Sequence, residues 1–191
     1  MNTLDEKMKL MHGRPAANDR LAKEIAAYDL LDKLGIPFER VDHRSAGSYD
    51  DCADIEAVLG VEICKNLFLC TQSKTEFYLL MMPGVKKFVT KDVSRQIGSS
   101  RLSFAVAGYM EEFLNITPGS VSVLGLMNDT GHKVRLLIDR EIVEAGYVGC
   151  HPCINTSSLK IRTSDLLEKF LPYTGHKPVI VDLSDPVRND S

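Results

Sequence analysis

Cys150-His151-Pro152-Cys153 places two thiols and an imidazole within four residues. Such a pair does redox chemistry when one thiol sits at a helix start, where the thiolate is stabilised. It could equally be half of a zinc site, with the other ligands drawn from Cys64, Cys70, His132 or His176. The flanking residues favour neither. A redox pair opens a helix after a strand, yet Ile154-Asn155-Thr156 reads as extended or turn-like, and no second closely spaced ligand pair is present. The plainer reading is two small side chains lining a loop.

The lysines allow a different chemistry. In Cys64-Lys65-Asn66-Leu67-Phe68-Leu69, strand alternation puts Lys65 on one face with Leu67 and Leu69. An ammonium there either snorkels to water at the sheet edge or meets an anion at the mouth of a pocket. Further on, residues 86–101 hold Lys86, Lys87, Lys91, Arg95 and Arg101 against the single acid Asp92. That run is either a solvated helix face or a phosphate-tracking patch, and its modest charge suits a short single-stranded end better than a long duplex. No phosphate loop, dinucleotide fingerprint, nucleophile elbow or helical zinc-protease motif occurs.

These groups need elements to hold them. Asn18 or Asp19 can cap a helix to Leu34, whose apolar face is Leu21, Ile25, Tyr28, Leu31 and Leu34. Gly35 and Pro37 end it. A strand is expected at 38–42, a loop at 43–48 and a helix at 50–59. A hairpin follows from 67–71 and 77–82, then helices at 90–97 (capped by Thr90 and stopped by Gly98) and 109–114. A second hairpin is expected from 121–127 and 134–138. A strand near Tyr147, a loop at 149–155, a helix at 164–171, a strand at 178–183 and a frayed end at 187–191 complete the chain. Hairpins interleaved with helices predict an α+β fold with a largely antiparallel sheet.

Length and composition bound what this scaffold can be. The chain has 191 residues, 44% hydrophobic and 26% charged, with a net charge of -3. That fits one globular domain and excludes a disordered, collagen-like or coiled-coil chain. A protein that coats DNA should be basic, and this one is not. No apolar run approaches the roughly 18 residues of a membrane span, and residues 1–20 lack the apolar stretch of a secretory signal. Five cysteines, an odd number at low density, predict a reducing cytoplasm.

Six strings in order then resemble the YbaK/ProX family over roughly 25–183. They are Lys65-Asn66-Leu67-Phe68-Leu69; Phe77-Tyr78-Leu79-Leu80; Gln96-Ile97 with Arg101-Leu102-Ser103-Phe104-Ala105; Thr117-Pro118-Gly119-Ser120-Val121; His151-Pro152 with Asn155-Thr156; and Asp165-Leu166-Leu167 running to Thr174-Gly175-His176-Lys177-Pro178. The resemblance implies a mixed sheet curled into a pseudo-barrel and wrapped by helices, an extension over 1–18 and an editing domain over 19–185. It implies hydrolysis, without cofactor or metal, of the ester joining a wrong amino acid to tRNA. In the ProX branch, which fits best, the substrate is alanyl-tRNA(Pro). The sister activity on cysteinyl-tRNA(Pro) and a non-catalytic tRNA-end binder are the alternatives.

The same resemblance implies that Lys65 holds the backbone of the terminal adenosine and that Gly119 starts a loop whose amides cradle the ester. His151 joins them as a catalytic residue of the pocket, with Asn155, Ser120 and Thr156 as substrate contacts. Lys86, Lys87, Lys91, Arg95 and Arg101 are the candidates for touching tRNA, and association with a prolyl-tRNA synthetase is an expected partnership. One departure stands out. The family loop reads glycine, three residues, proline, and here that last position is Val123.

Overall fold

The computed structural model describes residues 8–45 and 49–183. The first seven residues of the expected extension, the end of the 43–48 loop and the expected frayed end at 187–191 lie outside the described residues.

In chain order the elements are β1 (Met11–His12), α1 (Ala22–Lys33), β2 (Phe38–Asp42), α2 (Tyr49–Leu59), β3 (Lys65–Thr71), β4 (Phe77–Met82), α3 (Thr90–Ile97), β5 (Leu102–Phe104) and α4 (Ala107–Leu114). A 3-10 turn at Val123–Asn128 leads to β6 (Val134–Asp139), α5 (Arg140–Glu144), β7 (Tyr147–Cys150) and β8 (Ser157–Arg162). The chain closes with α6 (Thr163–Asp165), a π-helical turn at Leu166–Phe170, α7 (Leu171–Thr174) and β9 (Val179–Val181).

The strands form two sheets. The first has the order β1-β2-β8-β7 and is antiparallel throughout. The second has the order β5-β3-β4-β6-β9, antiparallel across β5, β3 and β4 and parallel across β4, β6 and β9. They meet at one seam, where Ile63 and Gly149 form a parallel bridge and the Cys64 amide donates to the Gly149 carbonyl at 2.9 Å. A Cβ on Gly149 would lie 2.5 Å from the Glu62 carbonyl, so the approach needs glycine. No closed barrel forms among the described residues.

Strand β4 sits at the centre and is buried at every position, because both faces of the second sheet are covered. Phe77, Leu79 and Met81 enter the main core, with Phe68 and Cys70 from β3. Tyr78, Leu80 and Met82 enter a smaller cluster under α3, with Leu69 and Val93. A third cluster packs Ile55 and Leu59 of α2 on Val41 of β2.

The architecture is α+β, as the element order predicts, with several differences; among them α5 was not expected, and the helix expected at 164–171 is divided into α6, the π-helical turn and the start of α7. Residues 121–127 form no strand: Val123, Leu124 and Leu126 fill the main core as a 3-10 turn, capped where the Ser122 hydroxyl accepts from the Leu124 amide at 3.2 Å. Their would-be partner β6 instead runs parallel to β4, with Phe77 opposite Val134. A short apolar run carries no periodicity that separates helix from strand. Strands β5 and β8 went unread, although Leu159 and Ile161 alternate with Lys160 and Arg162 in β8. Met11–His12, inside the expected extension, pairs with β2 at Arg40 and Glu39. Finally, neither Asn18 nor Asp19 caps α1, which starts after Leu21 without a side-chain cap; Asp19 stands at φ 63. Thr90 likewise lies inside α3, after Val89, and Gly98 ends that helix at φ 67.

Candidate active site and its basic flank

The end of β2 and the start of β8 are braced from below. Tyr28 of α1 donates to Glu24 at 3.0 Å and lies 3.3 Å from the Ser157 hydroxyl. Arg20 bonds both Glu24 and Asp42, and Arg40 bonds Asp42. Burial acts to raise the Asp42 pKa, but the hydrogen bonds and charges of Arg20 and Arg40 outweigh it and hold the group at about 2.

On this base stand two histidines, His43 directly after β2 and His151 directly after β7. The His43 amide donates to the Thr156 carbonyl at 3.0 Å. Its Nδ1 lies 2.7 Å from the Arg44 carbonyl and its Nε2 lies 2.9 Å from the Ser158 hydroxyl. His151 Nδ1 lies 3.0 Å from the Ser157 carbonyl and 3.3 Å from the same Ser158 hydroxyl. A carbonyl only accepts, so each Nδ1 carries the proton. The Ser158 hydroxyl lies between the two rings, and with His151 neutral its Nε2 is left as an acceptor. Burial is the main force lowering the His151 pKa; the Ser157 carbonyl opposes it and the nearby His43 adds to it. The ring is therefore neutral at pH 7.

The loop bearing Gly119 lies against this cluster. Ser120 N–H donates to the Thr117 carbonyl at 3.1 Å, closing a turn with Pro118 and Gly119 at its centre. Gly119 stands at φ +85, the conformation a type II turn requires at that position. A Cβ there would lie 3.6 Å from Asn155 Nδ2, and that amide donates to the Ser45 hydroxyl at 2.7 Å. The Ser122 hydroxyl donates to the His151 carbonyl at 2.6 Å, tying the turn to the histidine loop. Val123 is wholly buried in the core, so its side chain serves packing rather than the turn. Gly119, Ser120, His151, Asn155 and Thr156 thus come from two loops that meet. Ser120 is buried and Thr156 is exposed, its carbonyl engaged by His43.

Lys65 opens β3 two residues beyond the seam, as His151 stands two residues beyond it on the other strand. Its ammonium is exposed and donates to the Gly84 carbonyl at 3.0 Å. The neighbouring Asn66 Oδ1 is buried without a partner among the described residues. Of the basic segment, Lys87, Lys91, Arg95 and Arg101 are exposed. Lys86 is not: it is 6% exposed and bonds Asp139 at 3.1 Å and Glu141 at 2.8 Å. Burial acts to lower its pKa, and the two carboxylates more than reverse this. The expected five-cation face therefore has four members.

The cysteine pair belongs to the core. Burial pushes Cys153 up to about 12 and Cys64 up to about 12, and it raises Cys150 further with help from its thiol neighbours. Such thiols stay protonated at neutral pH and are poor nucleophiles. Among the described residues no group of three or more His, Cys, Asp or Glu is placed to hold a metal ion. Two clefts open elsewhere. One of about 390 Å³ is bordered by Asp32, Phe38, Tyr147 and Arg162, the other of about 300 Å³ by Glu62, Cys64, Pro83 and Tyr147. Neither includes Gly119, His151 or Asn155, and the smaller one adjoins Lys65 through Cys64 and Pro83.

His43, Ser45, Ser122 and Ser158 are the members that sequence reading missed. Single serines and a loop histidine carry no motif; the β2–β8 register, with Val41 opposite Ser158, brings His43 and Ser158 to His151, while Ser122 bonds the His151 carbonyl and Ser45 bonds Asn155 from neighbouring loops.

Comparison with known proteins points the same way. The model of the aminoacyl-tRNA editing domain family matches residues 43–169, so the match begins at His43. The prolyl-tRNA editing protein ProX of Acetoanaerobium sticklandii is 29% identical over 153 residues, covering 80% of this chain and 93% of its own. Prolyl-tRNA synthetase associated domain-containing protein 1 of Danio rerio is 29% identical over 171 residues, covering 88% and 91%. A solved structure described as a candidate trans-editing enzyme for prolyl tRNA synthetase is similar at TM-score 0.65 and 16% identity, over 88% of this chain and 100% of that one.

Proposed function

We propose that this chain, which belongs to the aminoacyl-tRNA editing domain family, hydrolyses the ester of mischarged alanyl-tRNA(Pro). The observation that carries the reading is the placement of His151, whose Nδ1–H is committed to the Ser157 carbonyl and whose own carbonyl is bonded by Ser122 of the loop that bears Gly119.

An aminoacyl ester is already activated, so the protein needs a placed water, a stabilised oxyanion and a held substrate, not a nucleophile of its own. His151 Nε2 takes a proton from the water as its oxygen bonds the ester carbonyl carbon. The Gly119 N–H is the turn's donor to the developing oxyanion, since Pro118 has none and the Ser120 N–H is engaged by Thr117. When the carbon–oxygen bond to the ribose breaks, the proton passes to the ribose oxygen, giving free alanine and tRNA. Ser158 and His43 hold the His151 ring in the tautomer this requires. Lys65 exchanges the Gly84 carbonyl for a phosphate of the terminal adenosine, a stronger partner for an ammonium.

Selectivity follows from size. A pocket shaped to alanine rejects proline by steric overlap, which discriminates more than the loss of one methylene contact at about 1–3 kcal/mol. The exposed cations Lys87, Lys91, Arg95 and Arg101 receive the acceptor end of the tRNA. The substrate assigns the protein to the cytoplasm, beside a prolyl-tRNA synthetase that supplies its mischarged product.

Deacylation of three charged forms of tRNA(Pro) tests this. Ala-tRNA(Pro) is cleaved and Pro-tRNA(Pro) is spared. Faster cleavage of Cys-tRNA(Pro) would move the assignment to the sister activity, and binding without cleavage of any form would reduce it to a tRNA-end binder.

A further inference from the structure

The outer edge of the second sheet carries an aromatic ring that packing does not account for. Phe104 is 65% exposed on β5, which among the described residues pairs with β3 alone. Its ring meets the half-buried Phe88 edge-to-face with centroids 5.9 Å apart. Val106, two residues beyond Phe104, and Val89, next to Phe88, are exposed as well, at 57% and 43%. Burying such a ring would be favourable, so its exposure points to an occupant.

The surrounding charge says what kind. From residue 86 to residue 106 the only acid is Asp92, and Arg95 pairs with it at 3.5 Å. Lys87, Lys91 and Arg101 are exposed in the same segment. The acids Glu111 and Glu112 appear only on α4, beyond the patch. An aromatic face set among cations suits a stacked base with its phosphates; an apolar protein surface would leave those cations uncompensated.

The register supplies the length. Phe104 lies directly opposite Leu69, and Lys65, Leu67 and Leu69 share one face of β3. Phe104 and Lys65 thus project from the same face, four residues apart along β3, or about 13 Å. Stacked nucleotides advance about 3.4 Å each, so about four of them span that distance.

We propose that Phe104 is a stacking platform for a base of the unpaired 3′ segment of the tRNA, a few nucleotides before the terminal adenosine held by Lys65. The proposal rests on the editing reading above for the direction of the strand, but binding to Phe104 does not require catalysis.

Two measurements separate the platform from that reading. The first is fluorescence anisotropy of a labelled, unacylated single-stranded oligonucleotide with the tRNA 3′ sequence. Phe104→Ala weakens its binding about tenfold, the size of one base–aromatic stack. Phe104→Trp retains or improves it, and Tyr173→Ala, an exposed aromatic beside Lys33, leaves it unchanged. The second compares Ala-tRNA(Pro) with 3′-O-alanyl-adenosine as substrates. The Phe104→Ala loss is at least fivefold greater on the tRNA and falls mainly on KM. The proposal is overturned if Phe104→Ala binds the oligonucleotide as wild type does, or if Phe104→Leu performs as well as Phe104→Trp. It is also overturned if wild type is a dimer that Phe104→Ala dissociates, which would make the patch a protein interface. If wild type binds the oligonucleotide through Phe104 yet cleaves neither ester, the editing reading fails and the platform stands.

Discussion

The histidine cluster at the end of the first sheet and the basic edge of the second are both polar, and they are built in opposite ways. In the cluster polar groups bond one another: His43, Ser158, His151 and Ser157 form one chain, and Ser122 and Asn155 tie in the flanking loops. At the basic edge Lys87, Lys91 and Arg101 are exposed to solvent in the segment that carries the exposed ring of Phe104. Polar groups bonded to one another are held in place before a substrate arrives, which suits bond-breaking chemistry. Exposed charges give up little solvation until they meet an anion, which suits capture. Lys65 stands between the two regimes, exposed but already donating to a carbonyl.

The sharpest way to break this contrast is at Lys86, which sequence places with the capture residues and the fold places in an ion pair. Lys86→Met leaves Asp139 buried without its cation, and this costs about 3–5 kcal/mol. A chain of this size then melts roughly 10 °C lower, while tRNA affinity of the folded protein is unaltered. A thermal melt paired with a filter-binding assay checks both halves; weakened binding at unchanged stability would return Lys86 to the basic face.

Lys65→Ala gives the next largest effect and the reverse pattern. Deacylation falls at least about 100-fold, because a lost anchor misplaces the reacting carbon, and the melting temperature moves by only a few degrees. Lys65→Arg recovers little, since a planar fork replaces a compact charge. A wild-type rate for Lys65→Ala would show that the ammonium merely reaches water.

The histidine cluster is probed by acid. The His151 pKa is lowered in the fold, so its neutral form persists as pH falls below the ordinary value of about 6.5. The acid limb of kcat therefore lies below pH 6.5. The unfolded chain takes up that proton first, so stability is flat above about pH 6.5 and declines beneath it. His151→Gln removes this step from a pH series of melts, and an unaltered series would place its origin elsewhere. Lys87→Ala is the smallest change: tRNA binding weakens about two- to threefold and the salt dependence loses about one unit of slope.

Sequence pattern was enough for much of this protein. The bounds of β2, β4 and α3 coincide with the apolar runs and the stop at Gly98 that predict them. Local periodicity dictates an element when its own side chains choose the buried face. A loop at Gly119 was expected from the family resemblance, and the structure adds that Thr117-Pro118-Gly119-Ser120 closes a type II turn there. Elements whose fate depends on a distant partner were not legible. The 121–127 segment becomes a 3-10 turn because the main core needs its valine and leucines there, and β6 takes β4 as a parallel neighbour across more than fifty residues of chain.

Lys86 and Lys87 mark the boundary between the two kinds of information. They are adjacent, identical in type and indistinguishable by charge, spacing or propensity. One is 6% exposed between Asp139 and Glu141, and the other is exposed to solvent. By itself the sequence determined the family strings and the central strands, because each is written in neighbouring residues. Only the tertiary structure decided which lysine is buried and which serines and histidine join His151. Those outcomes depend on desolvation and on pairing across β2 and β8, interactions between residues far apart in the chain.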